Sequence, residues 1–182
     1  MLILLKCSLL LVFLSRPSES KFAVELNDDF DQCSPDIPIL SINTSKLVFS
    51  PIEGGSTSMH ISGDLVFMED YIAPVEVNFW SLHLERGTWV PGSIERTERD
   101  LCGKLMSPLE PWFFLVRHFH RKRCPFKAGH VETLPDVEVG NFGLELPASF
   151  AGDWKFFLQM DRRLQGRLVK QCLVLSASIV EV

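Results

Sequence analysis

Residues 154–160 have the sequence WKFFLQM, and residues 172–179 have the sequence CLVLSASI. Each run is largely apolar over the length of a typical β-strand. The segment between them includes residues 161–166, DRRLQG, which are mostly polar and end in glycine. This end of the chain is therefore predicted to form two antiparallel strands joined by a hairpin connection.

The same pattern extends toward the N-terminus. Three further runs rich in apolar residues lie at 39–49, 58–67 and 74–84. Turn-forming residues separate them, as in the EGGS segment at 53–56. Within the run at 74–84, apolar and polar residues alternate at first, and the alternation then becomes irregular. This is typical of a strand whose second face is partly covered. We expect the face that carries Phe79 to point inward.

The middle of the chain departs from this pattern. Residues 88–99 are rich in Gly, Pro and charge, which favours a loop. Ser107-Pro108-Leu109-Glu110 has the spacing of a capping box, and apolar residues then recur at intervals of three and four up to Phe119. A short amphipathic helix is predicted over 107–119. The fold class predicted from these elements is an all-β sandwich or cup with one helical insertion.

Residues 1–20 have the features of a secretory signal peptide. An apolar run carries one basic residue, Lys6, and Ser18 and Ser20 supply the small residues that precede a cleavage site. A membrane anchor is the alternative, but the run is shorter than the ~20 apolar residues of a span. We therefore expect one mature domain at 21–182, secreted to the cell exterior or delivered to the lysosome.

Charge and cysteine content agree with secretion. Loss of residues 1–20 removes two basic residues and one acidic residue, which changes the formal net charge from −5 to −6. An acidic protein is a poor partner for nucleic acid, since that binding depends on neutralising phosphates.

The mature chain keeps Cys33, Cys102, Cys124 and Cys172, which predicts two disulfides in an oxidising compartment. Spacing alone leaves all three connectivities open. The triplet that begins at Asn43 is an acceptor for N-glycosylation.

The block at 124–157 reads CPFKAGHVETLPDVEVGNFGLELPASFAGDWKFF. It resembles the ganglioside activator-like proteins of the ML (lipid-recognition) domain family in its Cys-Pro-Phe-Lys-x-Gly at 124–129, its Leu-Glu-Leu-Pro at 144–147 and its Gly-polar-aromatic turn at 152–154. Insect chemosensory proteins of the CheB type are similar over the same region. The resemblance covers about 150 residues, but only residues 124–154 are specific.

The resemblance implies an immunoglobulin-like β-sandwich that encloses a hydrophobic cavity. It pairs Cys33 with Cys172 and Cys102 with Cys124. Four further cysteines of the family are absent from this chain, and the resemblance implies that they are two complete disulfide pairs. It also implies that Phe150 lies at the tip of an exposed loop that touches membrane.

Aromatic residues are the candidate cavity lining. The chain has 14 Phe and 4 Trp, which would fill a closed sandwich core or, if the sheets splay apart, line a pocket for acyl chains. The alternative for each residue is an ordinary place in the core. The candidate lining residues are Phe67, Phe79, Trp80, Phe114, Phe126, Phe156 and Leu158.

A basic cluster precedes Cys124 and comprises Arg117, His118, His120, Arg121, Lys122 and Arg123. It would suit an anionic membrane surface, or it is a solvated helix end whose cations complement the helix dipole. Together with His130 its histidines would offer zinc ligands, but a His-x-His pair on a helix faces two directions. No metal and no cofactor are expected. The sequence contains no nucleophile elbow, phosphate-binding glycine loop or HExxH motif.

The predicted function is therefore non-enzymatic. The leading hypothesis is a secreted lipid-binding accessory protein that presents a glycolipid, fatty acid or hydrophobic signal to a hydrolase or receptor. The alternatives are an insect-type chemosensory accessory protein in pheromone response, a secreted sandwich for protein–protein recognition, and a lipid hydrolase.

Overall fold

Two antiparallel β-sheets face each other across a common core. The computed structural model describes residues 22–51, 59–140 and 147–181. The predicted signal peptide, the turn at 53–56 and residues 144–146 lie outside these ranges. The described elements are β1 (Phe22–Gln32), β2 (Ile42–Asn43), β3 (Val48–Pro51), β4 (Met59–Phe67), β5 (Val75–Glu85), β6 (Thr88–Glu98), α1 (Leu101–Lys104), α2 (Phe113–Val116), β7 (Val131–Gly140), a 3-10 helix (Ala148–Phe150), β8 (Gly152–Leu164) and β9 (Arg167–Glu181).

The larger sheet has five strands in the order β1-β9-β8-β5-β6. Two-residue turns close both of its hairpins, Arg86-Gly87 between β5 and β6 and Gln165-Gly166 between β8 and β9. All four turn residues have φ between 50° and 81°, and turns with positive φ at both positions match the right-handed twist of antiparallel strands. The glycine in each turn adopts this conformation without a Cβ clash.

Two sequence-based predictions for this sheet are wrong. Residues 88–98 form strand β6 instead of a loop, and β8 continues through the polar residues at 161–164 that were expected to form the connection. Strand β6 lies at the edge of the sheet, where charged residues are tolerated on a solvated face. Pro91 falls beside the register shift between Trp80 and Leu82, and edge strands and bulges are the places in a sheet that tolerate proline.

The smaller sheet is built around β4. Strand β7 pairs along one edge of β4, while β2 and β3 pair in succession along the other. Ile61 and Leu65 of β4 share one buried cluster with Val75 and Val77 of β5 and Met160 of β8. The core therefore lies between the two sheets, and the predicted all-β sandwich with a small helical insertion is confirmed.

The insertion differs from the single helix predicted over 107–119. Two four-residue helices, α1 and α2, flank a series of turns. Glu110, expected to complete a capping box, is buried and receives two hydrogen bonds from Arg96 of β6, and Pro111 follows it directly. No helix within the described residues is long and apolar enough to cross a bilayer.

Two disulfides connect distant parts of the chain. Cys33–Cys172 links the segment after β1 to β9, and Cys102–Cys124 links α1 to the segment before β7. This is the pairing that the resemblance implied. Asn43 is exposed at the end of β2, and its side-chain oxygen accepts a hydrogen bond from the backbone N–H of Ser45 at 2.9 Å.

Candidate functional site

A cavity of about 280 Å³ lies between the two sheets and beneath the helical insertion. Both sheets and the insertion contribute side chains to its wall, and nearly all of these are aliphatic or aromatic. The wall formed by the five-stranded sheet consists of Val24, Leu26, Phe30, Val75, Val77, Phe79, Phe156, Leu158, Met160, Leu173 and Leu175.

The structure brings six of the seven candidate lining residues together around this cavity. They are Phe67, Phe79, Phe114, Phe126, Phe156 and Leu158. Phe67 and Phe126 stack at 4.6 Å on the wall opposite the five-stranded sheet, and Phe79 and Phe156 stack at 6.2 Å within that sheet.

Trp80 is the exception, and its assignment to the cavity is corrected. Side chains alternate between the two faces of a strand, so Trp80 points away from the face that carries Phe79. Its indole stacks on Phe157 of β8, with ring centroids 5.0 Å apart. This pair lies on the outer face of the five-stranded sheet.

One end of the cavity is bounded by a polar network in which Tyr71, Arg162 and Gln171 are buried and Glu69 is partly exposed. Tyr71 lines the cavity and donates a hydrogen bond from its hydroxyl to Gln171 Oε1 at 3.2 Å. The Arg162 guanidinium lies against the Tyr71 ring, 4.7 Å from its centroid, and is bonded to Glu69. Ser41 donates to the same carboxylate at 2.7 Å. The charged groups of this network are therefore neutralised by one another.

Burial, more than any neighbouring charge, raises the pKa of Tyr71 to about 12. The Ser41 hydroxyl, aided by the Arg162 guanidinium, holds the pKa of Glu69 below its usual range. At neutral pH this part of the cavity wall is therefore an uncharged phenol ring. The Arg162–Glu69 ion pair lies on the far side of that ring from the cavity.

Tyr71 and Arg162 were missed by the sequence reasoning. Arg162 falls in the segment expected to be a polar connection. Continuing the alternation of Phe156, Leu158 and Met160 by one step would have placed it on the inner face. Tyr71 is the only tyrosine in the chain, but it lies between predicted strands, where no periodic pattern indicates its direction.

The segment that follows α2 is fastened to β7 by a buried carboxylate. Glu132 is fully buried and accepts hydrogen bonds from the backbone N–H groups of His120 at 2.5 Å and Arg121 at 2.9 Å. The ring of His130 lies 2.7 Å from the same carboxylate. Glu132 therefore holds the end of the insertion over the cavity.

The basic cluster lies in this segment and mostly beyond the end of α2. Arg117, His120, Arg121, Lys122 and Arg123 have exposed side chains. Burial lowers the pKa of His118, and the neighbouring charges of Arg117 and Lys122 lower it further. Within the described ranges, no three side chains of the metal-ligating types come together.

Phe150 lies at the end of the 3-10 helix that precedes β8. Ala148 and Ser149 are exposed, but Phe150 is half-buried, because its ring stacks on Trp154 at 5.0 Å. The Trp154 indole N–H donates to the Phe150 carbonyl at 2.6 Å. The ring of Phe150 therefore packs against the sandwich, and the membrane contact expected of this loop stays a prediction.

Comparisons with known proteins do not assign the chain to a family. No family model matches it, and no curated protein matches it significantly. The similarity to the ML domain family therefore stays a prediction.

Proposed function

We propose that this protein is a non-enzymatic carrier that encloses the apolar part of a lipid-like molecule between its two sheets. The observation that carries the proposal is the cavity of about 280 Å³ with its almost wholly apolar wall. Sandwich sheets normally close at about 10 Å with interdigitating side chains. Small-molecule pockets usually have volumes of ~300–1,000 Å³ and are mostly apolar, so this cavity is near the lower end of that range.

The free-energy cost of leaving this cavity empty supports the proposal that it holds a ligand. At about 24 cal/mol per Å³, a cavity of 280 Å³ would cost on the order of 7 kcal/mol if nothing filled it. The net stability of a domain is only about 5–15 kcal/mol. Water offsets little of this cost, because aliphatic and aromatic side chains offer it few hydrogen-bond partners. A hydrophobic guest would restore the lost contacts.

The composition of the wall favours binding over chemistry. Among the described lining residues, those that carry a hydroxyl group are Thr44 and Tyr71, and Tyr71 donates a hydrogen bond to Gln171. A hydroxyl nucleophile needs an adjacent base to activate it, and Tyr71, with a pKa of about 12, is a poor acid. The function that fits this wall is uptake and presentation of a hydrophobic molecule to a hydrolase or a receptor.

Native mass spectrometry of the secreted protein, followed by organic extraction, tests the proposal. We expect about one lipid-like molecule per chain to co-purify. After delipidation, a ceramide analogue at a hundred times its dissociation constant should raise the free energy of unfolding by about 2.7 kcal/mol. A folded protein with both disulfides that neither co-purifies with lipid nor gains stability from any apolar probe would contradict the proposal. Protein–protein recognition would then replace it.

A further inference from the structure

The inward face of β8 changes from apolar to charged at one end of the cavity. Phe156, Leu158 and Met160 line the cavity, and Arg162 is the next residue on the same face. Its register partner on β5, Val75, also lines the cavity. Arg162 is only 2% exposed, and yet its side chain does not form part of the wall.

Tyr71 accounts for this separation. It belongs to the wall, and its ring lies against the Arg162 guanidinium, with 4.7 Å between Cζ and the ring centroid. The guanidinium donates from Nη1 to the Asp70 carbonyl at 3.2 Å and from Nη2 to Glu69 and to Gln171 Oε1. Its Nε has no hydrogen-bond partner among the described residues. A guanidinium that is paired with Glu69, and that keeps one N–H without a partner, is therefore buried next to the cavity and covered by an aromatic ring.

We propose that the cavity selects an uncharged hydrophobic ligand, such as a long-chain ester, alcohol or hydrocarbon, and that Tyr71 sets this selectivity by screening Arg162 from the ligand. The inference rests on the proposed carrier function. A carboxylate or phosphate drawn into the cavity would meet no cation among the described lining residues, and an unpaired buried charge is strongly disfavoured. A neutral ester or alcohol carries no charge and therefore avoids this penalty.

Binding of a matched acid and ester to the delipidated full-length mature protein tests the selectivity. The probes are dodecanoic acid and methyl dodecanoate, titrated between pH 5 and pH 8. The dissociation constant of the ester should be independent of pH. That of the acid should rise about tenfold per pH unit above the pKa of its carboxyl group, because only the protonated fraction is competent to bind.

Equal binding of acid and ester across this range would overturn the selectivity while leaving the carrier function intact. Binding of neither probe, together with the absence of co-purifying lipid, would instead contradict the carrier function. The two failures are therefore distinguishable without any variant.

Variants at Tyr71 test its role through the ratio of acid to ester dissociation constants at pH 8. Tyr71→Ala opens the cavity to Arg162, so this ratio should fall at least tenfold below that of the wild type. Tyr71→Phe keeps the ring and is the matched control, and its ratio should equal the wild-type ratio. Adding Arg162→Met to Tyr71→Ala should restore the wild-type ratio.

A Tyr71→Ala variant that binds the ester and keeps the wild-type ratio would overturn the role of Tyr71. If Tyr71→Ala does not fold, Tyr71→Leu takes its place, because leucine retains apolar bulk but cannot cover the guanidinium with a flat ring. A wild-type ratio in that variant would equally contradict the screening role.

Discussion

At the scale of single residues, neighbouring side chains on one strand have opposite surroundings. Phe79 faces the cavity, whereas Trp80 faces outward and stacks on Phe157. Both are half-buried aromatic residues, so composition and exposure do not tell them apart. The difference lies in the two-residue periodicity of the strand, which sends successive side chains to opposite faces.

Phe79→Asp is expected to abolish binding of a ceramide analogue, because it places an unpaired carboxylate in the apolar wall. Trp80→Asp is the matched control on the outer face. It should lower the free energy of unfolding by about 1 kcal/mol through the lost ring stacking and leave the ligand-induced rise in melting temperature in place. Differential scanning calorimetry with and without ligand measures both quantities. Undiminished binding by a folded Phe79→Asp variant would contradict the position of the site.

At the scale of elements, the helical insertion is held in place by carboxylates at two points. Glu110 binds Arg96 of β6 through both carboxylate oxygens, at 2.7 and 2.8 Å. Glu132 of β7 accepts hydrogen bonds from the backbone N–H groups of His120 and Arg121, in the segment that follows α2. Helices of four residues have little stability of their own. The position of the insertion over the cavity therefore depends on these contacts, on apolar packing and on the Cys102–Cys124 bridge.

Glu132→Ala should lower the free energy of unfolding by about 2–4 kcal/mol, because it removes the charge-assisted hydrogen bonds that the backbone N–H groups of His120 and Arg121 donate to a buried carboxylate. Glu138→Ala is the matched control. Its side chain is exposed on the same strand, so the change should stay within about 0.5 kcal/mol. Urea unfolding at pH 7 measures both. Equal effects of the two substitutions would show that Glu132 does not anchor the insertion.

The Arg96–Glu110 pair should contribute a pH-dependent part of the stability. Hydrogen bonding and charge from Arg96 hold the pKa of Glu110 below its ordinary value of 4.5. A carboxyl group with a lowered folded-state pKa stabilises the fold above its unfolded-state pKa and loses that contribution as pH falls through the folded-state pKa. Glu110→Gln should therefore be less stable than the wild type at pH 7, and the difference should shrink below about pH 4. Urea unfolding at pH 7 and pH 3 tests this, and a difference independent of pH would contradict it.

At the scale of the whole molecule, the two disulfides constrain very different lengths of chain. Cys33–Cys172 spans 139 residues and ties the end of β1 to β9, whereas Cys102–Cys124 spans 22 residues within the insertion. In the chain-entropy model, the longer loop removes more freedom from the unfolded state.

Removal of the long bridge in Cys33→Ala/Cys172→Ala should lower the free energy of unfolding by about 5 kcal/mol, and removal of the short bridge in Cys102→Ala/Cys124→Ala by about 3 kcal/mol. Equilibrium urea unfolding of the two double variants compares them directly. A larger loss from the short bridge would mean that it acts mainly through the native packing of the insertion over the cavity.

Much of the architecture could be predicted from the sequence, because local patterns of residues indicate where its strands and disulfides form. Alternation in β5 and the apolar runs of β8 and β9 indicate strands. The even set of mature cysteines indicates disulfides, and the aromatic content indicates where an apolar interior could be built. These signals act within a few residues, where side-chain parity and turn chemistry operate. The same locality explains why edge strand β6, with its proline, glycine and charges, was mistaken for a loop.

Only the tertiary structure decided whether the aromatic interior is a filled core or a cavity. That outcome depends on the spacing between two sheets whose strands are distant in sequence, and no local pattern encodes a distance of this kind. No local pattern predicts the contact of Tyr71 with Arg162 either. Nor does one predict the hydrogen bonds from Arg96 to Glu110, which replace the helix cap expected of Glu110. For Glu110 the long-range partner prevails over the local preference, because a buried charge must be paired with an opposite charge wherever the fold places it.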